Sequence, residues 1–129
     1  MMTPHFSVHE LRCKCGCGLV QFHPGFLDQL ELLRRTYGRY MRITSACRCA
    51  EHNAKVSPQA PLRSLHIGNR ETRPGHNGTL AVDVAVTGED KGDLFVIAWR
   101  HGWSVGWNRN FLHLDRRVDI GMPQTTFEY

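Results

Sequence analysis

The sequence predicts an α+β fold, in which a small antiparallel sheet packs against helices. Residues 79–86 and 111–115 alternate bulky apolar side chains with small or polar ones, which is the period-two pattern of strands. Residues 26–37 instead place apolar side chains at helical spacing. At 129 residues the chain is long enough to bury a core, and we expect one domain over 1–129.

The other elements follow from caps, breakers and shorter patterns. Ser7 and Glu10 form a capping-box pattern that predicts a single helical turn within 6–12, ahead of the cysteine-rich segment 13–17. Pro24 and Gly38 mark the two ends of the long helix. The remaining predictions are a strand over 41–45, a short helix over 51–55, a long loop over 56–77, a helix over 88–100, a hairpin of 103–107 and 111–115 with its turn at 108–110, and a tail that packs an aromatic side chain onto the domain.

Composition and charge limit the partners. The net charge is +4 and the pI is about 9.0, which favours anionic partners. The basic residues are scattered, so no specific nucleic-acid partner is predicted. No apolar run has the length of a membrane span, and the N-terminus lacks the layout of a signal peptide. We therefore expect a cytoplasmic chain with no membrane partner.

Histidine and aspartate side chains on the two predicted strands indicate a metal site. Asp83 shares a strand face with alanines, which leave space beside a carboxylate that is costly to bury alone. His76 precedes it by seven residues, and His113 lies with Asp115 on one face of the second strand. Two imidazoles and one carboxylate are a zinc ligand set with a fourth position open. The alternative for Asp83 is a structural ion pair, for example with Arg48.

The ordered motifs resemble one known family. The chain resembles the superfamily of zinc D-Ala-D-Ala carboxypeptidases and L-alanyl-D-glutamate endopeptidases, whose fold is shared with hedgehog domains, and it is most similar to short members encoded by phages and prophages. The segments that carry the resemblance are 6–18, 43–53, 76–83 and 111–115.

The resemblance implies roles for five residues. His76, Asp83 and His113 would bind zinc, and Arg48, with Ser45 nearby, would hold an anionic group of a peptide substrate. An arginine fork suits bidentate capture of a carboxylate. The alternative for Arg48 is a surface arginine or one paired with Glu51.

A second histidine competes for the position of first ligand. Ser64 and His66 resemble the start of the Ser-x-His-x-x-Gly opening of the superfamily motif, with Gly68 two residues after His66 rather than three. Seven residues after His66, however, the sequence has Arg73, which cannot bind a cation. The spacing therefore favours His76.

The general base is not evident from the motif. Many superfamily members have a catalytic Glu three residues before the last histidine, but this sequence has Asn110 there. Asp115 is the nearest acidic residue and lies on the same strand face as His113, so we predict that it is the base. The alternative is that Asp115 orients His113 through a hydrogen bond.

Five cysteines form two clusters, and three states of them are open. The alternatives are a second, structural zinc, a disulfide between the clusters, or free buried thiols. The pool of ligands for a second metal is Cys13, Cys15, Cys17, Cys47 and Cys49.

The predicted function is zinc-dependent hydrolysis of a peptide bond in bacterial peptidoglycan, by a monomer of phage origin whose partner is the stem peptide. The D-Ala-D-Ala and L-Ala-D-Glu bonds are both open. Such a chain would reach the wall after membrane opening or from a virion. Two alternatives are an inactive zinc-containing module that recognises wall peptide or a protein partner, and a basic nucleic-acid-binding protein whose cysteines hold zinc.

Overall fold

A computed structural model describes residues 2–58 and 63–129. The helices are α1 (Val8–Leu11), α2 (Phe26–Tyr37), α3 (Ala50–Val56), α4 (Gly88–Arg100) and a 3-10 helix (Arg117–Ile120). The strands are β1 (Arg42–Ser45), β2 (Ala81–Ala85), β3 (Ser104–Trp107), β4 (Phe111–Asp115) and β5 (Thr126–Glu128). Part of the loop predicted over 56–77 lies outside the described residues.

The five strands form one sheet, in the order β1-β2-β4-β3-β5. All neighbouring pairs are antiparallel except β3 and β5, which are parallel. The predicted α+β fold and the predicted hairpin of β3 and β4 are therefore confirmed. The sequence patterns did not predict the 3-10 helix or the pairing of the tail as β5. None of the helices in the described ranges has the length and apolar character needed to cross a membrane.

The helices cover one face of the sheet because the strand alternation directs bulky side chains there. On β2 and β4 these side chains are fully buried. They belong to a core that α2 and α4 complete, with Trp103 packed edge-to-face against Phe26. Apolar burial of this kind is the main favourable contribution to folding. The buried side chains that these elements supply are Val82, Val84, Leu112, Leu114, Phe26, Leu30, Leu33, Leu94 and Ala98.

The opposite face of the sheet carries one continuous row of residues. Asp83 pairs with Ser45 on one side and with His113 on the other. His113 in turn faces Gly106, which faces Phe127 on β5. Because paired residues point to the same face, the register alone brings the Asp83 and His113 side chains together.

A buried carboxylate ties the N-terminal segment to α2. Glu31 accepts hydrogen bonds from the Thr3 hydroxyl at 2.8 Å, the His5 amide at 3.0 Å and Arg35 Nε at 3.2 Å. His5 Nδ1 lies 2.5 Å from its second oxygen. Burial would raise the pKa of Glu31, but the hydrogen bonds from His5 and Thr3 outweigh it and lower that pKa to about 2.

This network predicts an acid-dependent contribution to stability. A folded-state pKa below the unfolded value of 4.5 stabilises the fold above pH 4.5, and the contribution is lost as the pH falls toward 2. Glu31→Gln should lower the free energy of unfolding by about 1–3 kcal/mol at pH 7. Urea unfolding at pH 7 and at pH 2.5 should show that the difference from wild type shrinks in acid. The exposed carboxylate on the same helix provides the control Asp28→Asn, and an equal loss at both pH values would contradict the prediction.

Candidate metal centre

Three buried side chains converge on the open face of the sheet: His66, Asp83 and His113. His66 Nε2 lies 3.2 Å from Asp83 Oδ1, and His113 Nδ1 lies 3.1 Å from the same oxygen. One ligand atom from each residue lies within 4.8 Å of the other two. The set contains the two imidazoles and one carboxylate of an open zinc site.

The outer nitrogens of both rings have partners that fix their tautomers. His66 Nδ1 donates to the Ala46 carbonyl at 2.7 Å, since a carbonyl only accepts. His113 Nε2 donates to Asp115 Oδ2 at 2.8 Å. In the neutral rings, the nitrogens that face Asp83 therefore carry lone pairs. Three acceptor atoms that face one another require a cation between them, so the donor set fits a metal ion such as zinc.

The pKa shifts of His66, His113 and Asp83 reflect how closely the three side chains face one another. Burial lowers the pKa of His66, which keeps that ring neutral. Burial also opposes the charge on His113, but hydrogen bonds to Asp115 and Asp83 outweigh it and raise the pKa of His113 to about 9. Burial would raise the pKa of Asp83, yet His66 and His113 hold it well below its ordinary value. Without a metal, a protonated His113 and the Arg48 guanidinium, whose Nη2 lies 3.4 Å from Asp83 Oδ2, both balance the charge of Asp83.

Backbone hydrogen bonds fix the segment that carries His66. The carbonyl of His66 accepts from the Arg48 amide at 2.9 Å and from the Thr79 hydroxyl at 2.8 Å. The Leu80 amide donates to the Leu65 carbonyl at 2.8 Å. His66 is consequently held between the chain at Arg48 and the chain that leads into β2.

The prediction of His76 as the first ligand requires correction. His76 is buried, but it lies outside the cluster, and its Nδ1 accepts a hydrogen bond from the Thr72 amide at 3.2 Å. His66 occupies the expected position although it lies seventeen residues before Asp83. The spacing argument failed because the loop between His66 and β2 is longer than in the superfamily motif. The recognisable signal was Ser64-x-His66, which matches the start of the superfamily motif.

Asp115 is fully buried, and both of its oxygens are occupied. Oδ2 accepts from His113 Nε2 at 2.8 Å and from Arg117 Nη2 at 2.7 Å. Oδ1 accepts from the Arg117 amide and Nε at 3.0 Å and 2.9 Å. Burial would raise the pKa of Asp115, but hydrogen bonds from Arg117 and His113 lower it to about 2. This geometry favours the alternative in which Asp115 orients His113. Asn110 is exposed, in the turn between β3 and β4.

Arg48 lies beside the cluster and is almost fully buried. Its Nη2 donates to Asp83 Oδ2 at 3.4 Å, and its Nε donates to the Ser45 hydroxyl at 2.9 Å. Its Nη1 donates to Asn53 Oδ1 at 3.1 Å. Arg48 is therefore not an exposed surface residue, and its contacts are with Ser45, Asn53 and Asp83 rather than with Glu51. It also borders an open cleft of ≈ 690 Å³ that Asp83 and His113 line.

Aromatic side chains of the tail cover His113. The Tyr129 ring stacks on the His113 ring with centroids 4.5 Å apart and an interplanar angle of 12°. Gly106, the neighbour of His113 in the row, permits this cover, since a Cβ there would lie 2.7 Å from the Phe127 ring. The predicted packing of a tail aromatic onto the domain is confirmed.

The five cysteines separate into a group of four and a single one. All are free thiols. The four whose sulfurs converge are Cys13, Cys15, Cys17 and Cys49. Cys47 is buried elsewhere, with its sulfur 3.7 Å from the Gln21 carbonyl.

Comparison with known protein families gives a match for the chain. A model of the Peptidase M15 family matches residues 4–115, which is most of the chain. The searches of curated proteins and of solved structures found no match to the chain.

Proposed function

Because the chain belongs to the Peptidase M15 family, that of the zinc D-Ala-D-Ala carboxypeptidases, we propose that it hydrolyses a peptide bond in the stem peptide of peptidoglycan. The observation that carries the proposal is the convergence of His66 Nε2, Asp83 Oδ1 and His113 Nδ1, beside an open cleft that Asp83 and His113 line. Three protein ligands with a fourth position open are typical of catalytic zinc.

Three residues would bind the ion, and two further groups fix the tautomers of the histidine ligands. His66, Asp83 and His113 would bind zinc, which lowers the pKa of a water molecule toward about 7 and polarises a carbonyl when it is bound. Asp115 accepts the Nε2 proton of His113 and so keeps Nδ1 free to bind. The Ala46 carbonyl does the same for His66.

Substrate recognition is assigned to Arg48. Its guanidinium borders the cleft next to Asp83, and its other contacts, to Ser45 and Asn53, fix its orientation. A fixed arginine at this place would bind a carboxylate of the stem peptide beside the scissile bond. Ser45 acts through Arg48, since its hydroxyl accepts the Nε hydrogen bond.

A second candidate function is an inactive zinc-containing module that binds wall peptide. Two observations favour it: Asn110 replaces the usual glutamate, and both oxygens of Asp115 are already bound.

The test is cleavage of defined peptidoglycan fragments by the full chain. Mass spectrometry should detect zinc-dependent loss of D-Ala from a pentapeptide stem or separation of L-Ala from D-Glu. Arg48→Lys should raise KM by about tenfold or more, because lysine cannot keep the contacts to Ser45, Asn53 and Asp83 that orient the charge and still reach a substrate carboxylate. Retained binding of the fragments without any cleavage would favour the inactive module, and neither binding nor cleavage would contradict both candidates.

A further inference from the structure

A second group of metal-type ligands consists of three cysteines of segment 13–17 together with Cys49, which follows Arg48 in the chain. Cys13 Sγ lies 3.5 Å from Cys15 Sγ, and Cys15 Sγ lies 3.7 Å from Cys49 Sγ. With the Cys17 sulfur, the four atoms all lie within 4.8 Å of one another. Two ligands of tetrahedral zinc at about 2.3 Å from the metal are about 3.8 Å apart, whereas a disulfide requires about 2.0 Å. The separations fit a metal cluster.

The backbone brings the sulfurs together and directs amide donors at three of them. Gly16 adopts φ +93° and Gly18 adopts φ +79°, left-handed values that turn the chain after Cys15 and after Cys17. Backbone amides point at three of the sulfurs. The donors are Cys49 N to Cys13 Sγ at 3.4 Å, Leu19 N to Cys17 Sγ at 3.5 Å and His52 N to Cys49 Sγ at 3.3 Å. Amide donors favour the negatively charged form of an acceptor, which is the form that binds metal.

We propose that Cys13, Cys15, Cys17 and Cys49 bind a structural Zn²⁺. Four thiolates complete the tetrahedron, so no position is left for a substrate or a reacting water. The ion would join the N-terminal segment to Cys49, whose side chain caps α3 and which directly follows Arg48. The cluster therefore cross-links the chain at the residue assigned to substrate recognition. The proposal does not depend on the peptidase activity.

The experiment is zinc stoichiometry on full-length chains purified under reducing conditions. Wild type should contain two zinc ions per chain. Cys15→Ser, at an exposed position, and Cys49→Ser should each lose one of the two. Cys47→Ser is the matched control, because its sulfur lies outside the group, and it should keep both. His113→Ala should keep the ion held by the cysteines.

Cobalt substitution gives a second readout that needs no activity. The wild type and His113→Ala should show intense sulfur-to-cobalt charge-transfer absorption, and Cys15→Ser should lose most of it. The proposal is overturned if Cys15→Ser retains the wild-type zinc content and cobalt spectrum, or if thiol alkylation shows disulfides in reduced wild type. If wild type contains the cysteine-bound zinc but cleaves no peptidoglycan fragment, the peptidase proposal alone is contradicted.

Discussion

His66→Ala is expected to remove zinc from the histidine–aspartate site and to lower kcat/KM for a peptidoglycan peptide by roughly 10³-fold or more, since a metal ion supplies several kcal/mol of transition-state stabilisation. Two ligands would remain, Asp83 and His113, and two ligands bind zinc weakly. Zinc content and the rate of peptide cleavage, measured on the same preparation, check the prediction. The loss should be one zinc per chain.

The matched control is His76→Ala, because His76 lies seven residues before Asp83 and yet contacts Thr72 instead of the site. This variant should keep the zinc and retain activity within about tenfold of wild type.

His66 is buried and its ring is hydrogen-bonded to the Ala46 carbonyl, so a folding defect in His66→Ala must be separated from loss of a ligand. Asp83→Asn removes the charge at nearly constant size and should also lose the zinc. Loss of zinc in His76→Ala with retention in His66→Ala would contradict the assignment.

Asp115→Asn is expected to weaken zinc affinity by about 10–100-fold, with activity recovering at saturating zinc. The reason is that Asp115 holds the Nε2 proton of His113, and the amide is a poorer acceptor for that proton. A general base would behave differently: kcat would fall by roughly 10²–10⁴-fold at saturating zinc, while zinc affinity stayed the same. Zinc titrations followed by cleavage assays separate the two roles.

A control for the charge change at Asp115 is Asp119→Asn. Asp119 is exposed and pairs with Arg116 rather than with the cluster. Its variant should leave zinc affinity and kcat unchanged. A kcat loss in Asp115→Asn that added zinc does not reverse would restore the base role predicted from the sequence.

Local patterns were sufficient for most of the fold. Alternation on β2 and β4 identified which side chains share a face with Asp83 and His113, because the period of two is a property of the strand itself. Caps and breakers likewise located α1 and α2. The tail was less predictable, since β5 has three residues and forms only by pairing with β3.

The first ligand could not be identified from spacing alone. His76 satisfies the seven-residue spacing. The His66 carbonyl, however, is held by the Arg48 amide and the Thr79 hydroxyl, which are distant in sequence. The same limit applied to the cysteines. The sequence identified five cysteines as candidate metal ligands, but only the tertiary structure separates Cys47 from the four whose sulfurs converge.

The central claim is that His66, Asp83 and His113 hold one catalytic zinc. Anomalous diffraction at the zinc edge, from crystals of the zinc-loaded chain, tests it most directly. The account predicts a peak about 2.0–2.2 Å from His66 Nε2, an Asp83 oxygen and His113 Nδ1. A peak bound by His76, or the absence of any peak between these three side chains, would contradict it.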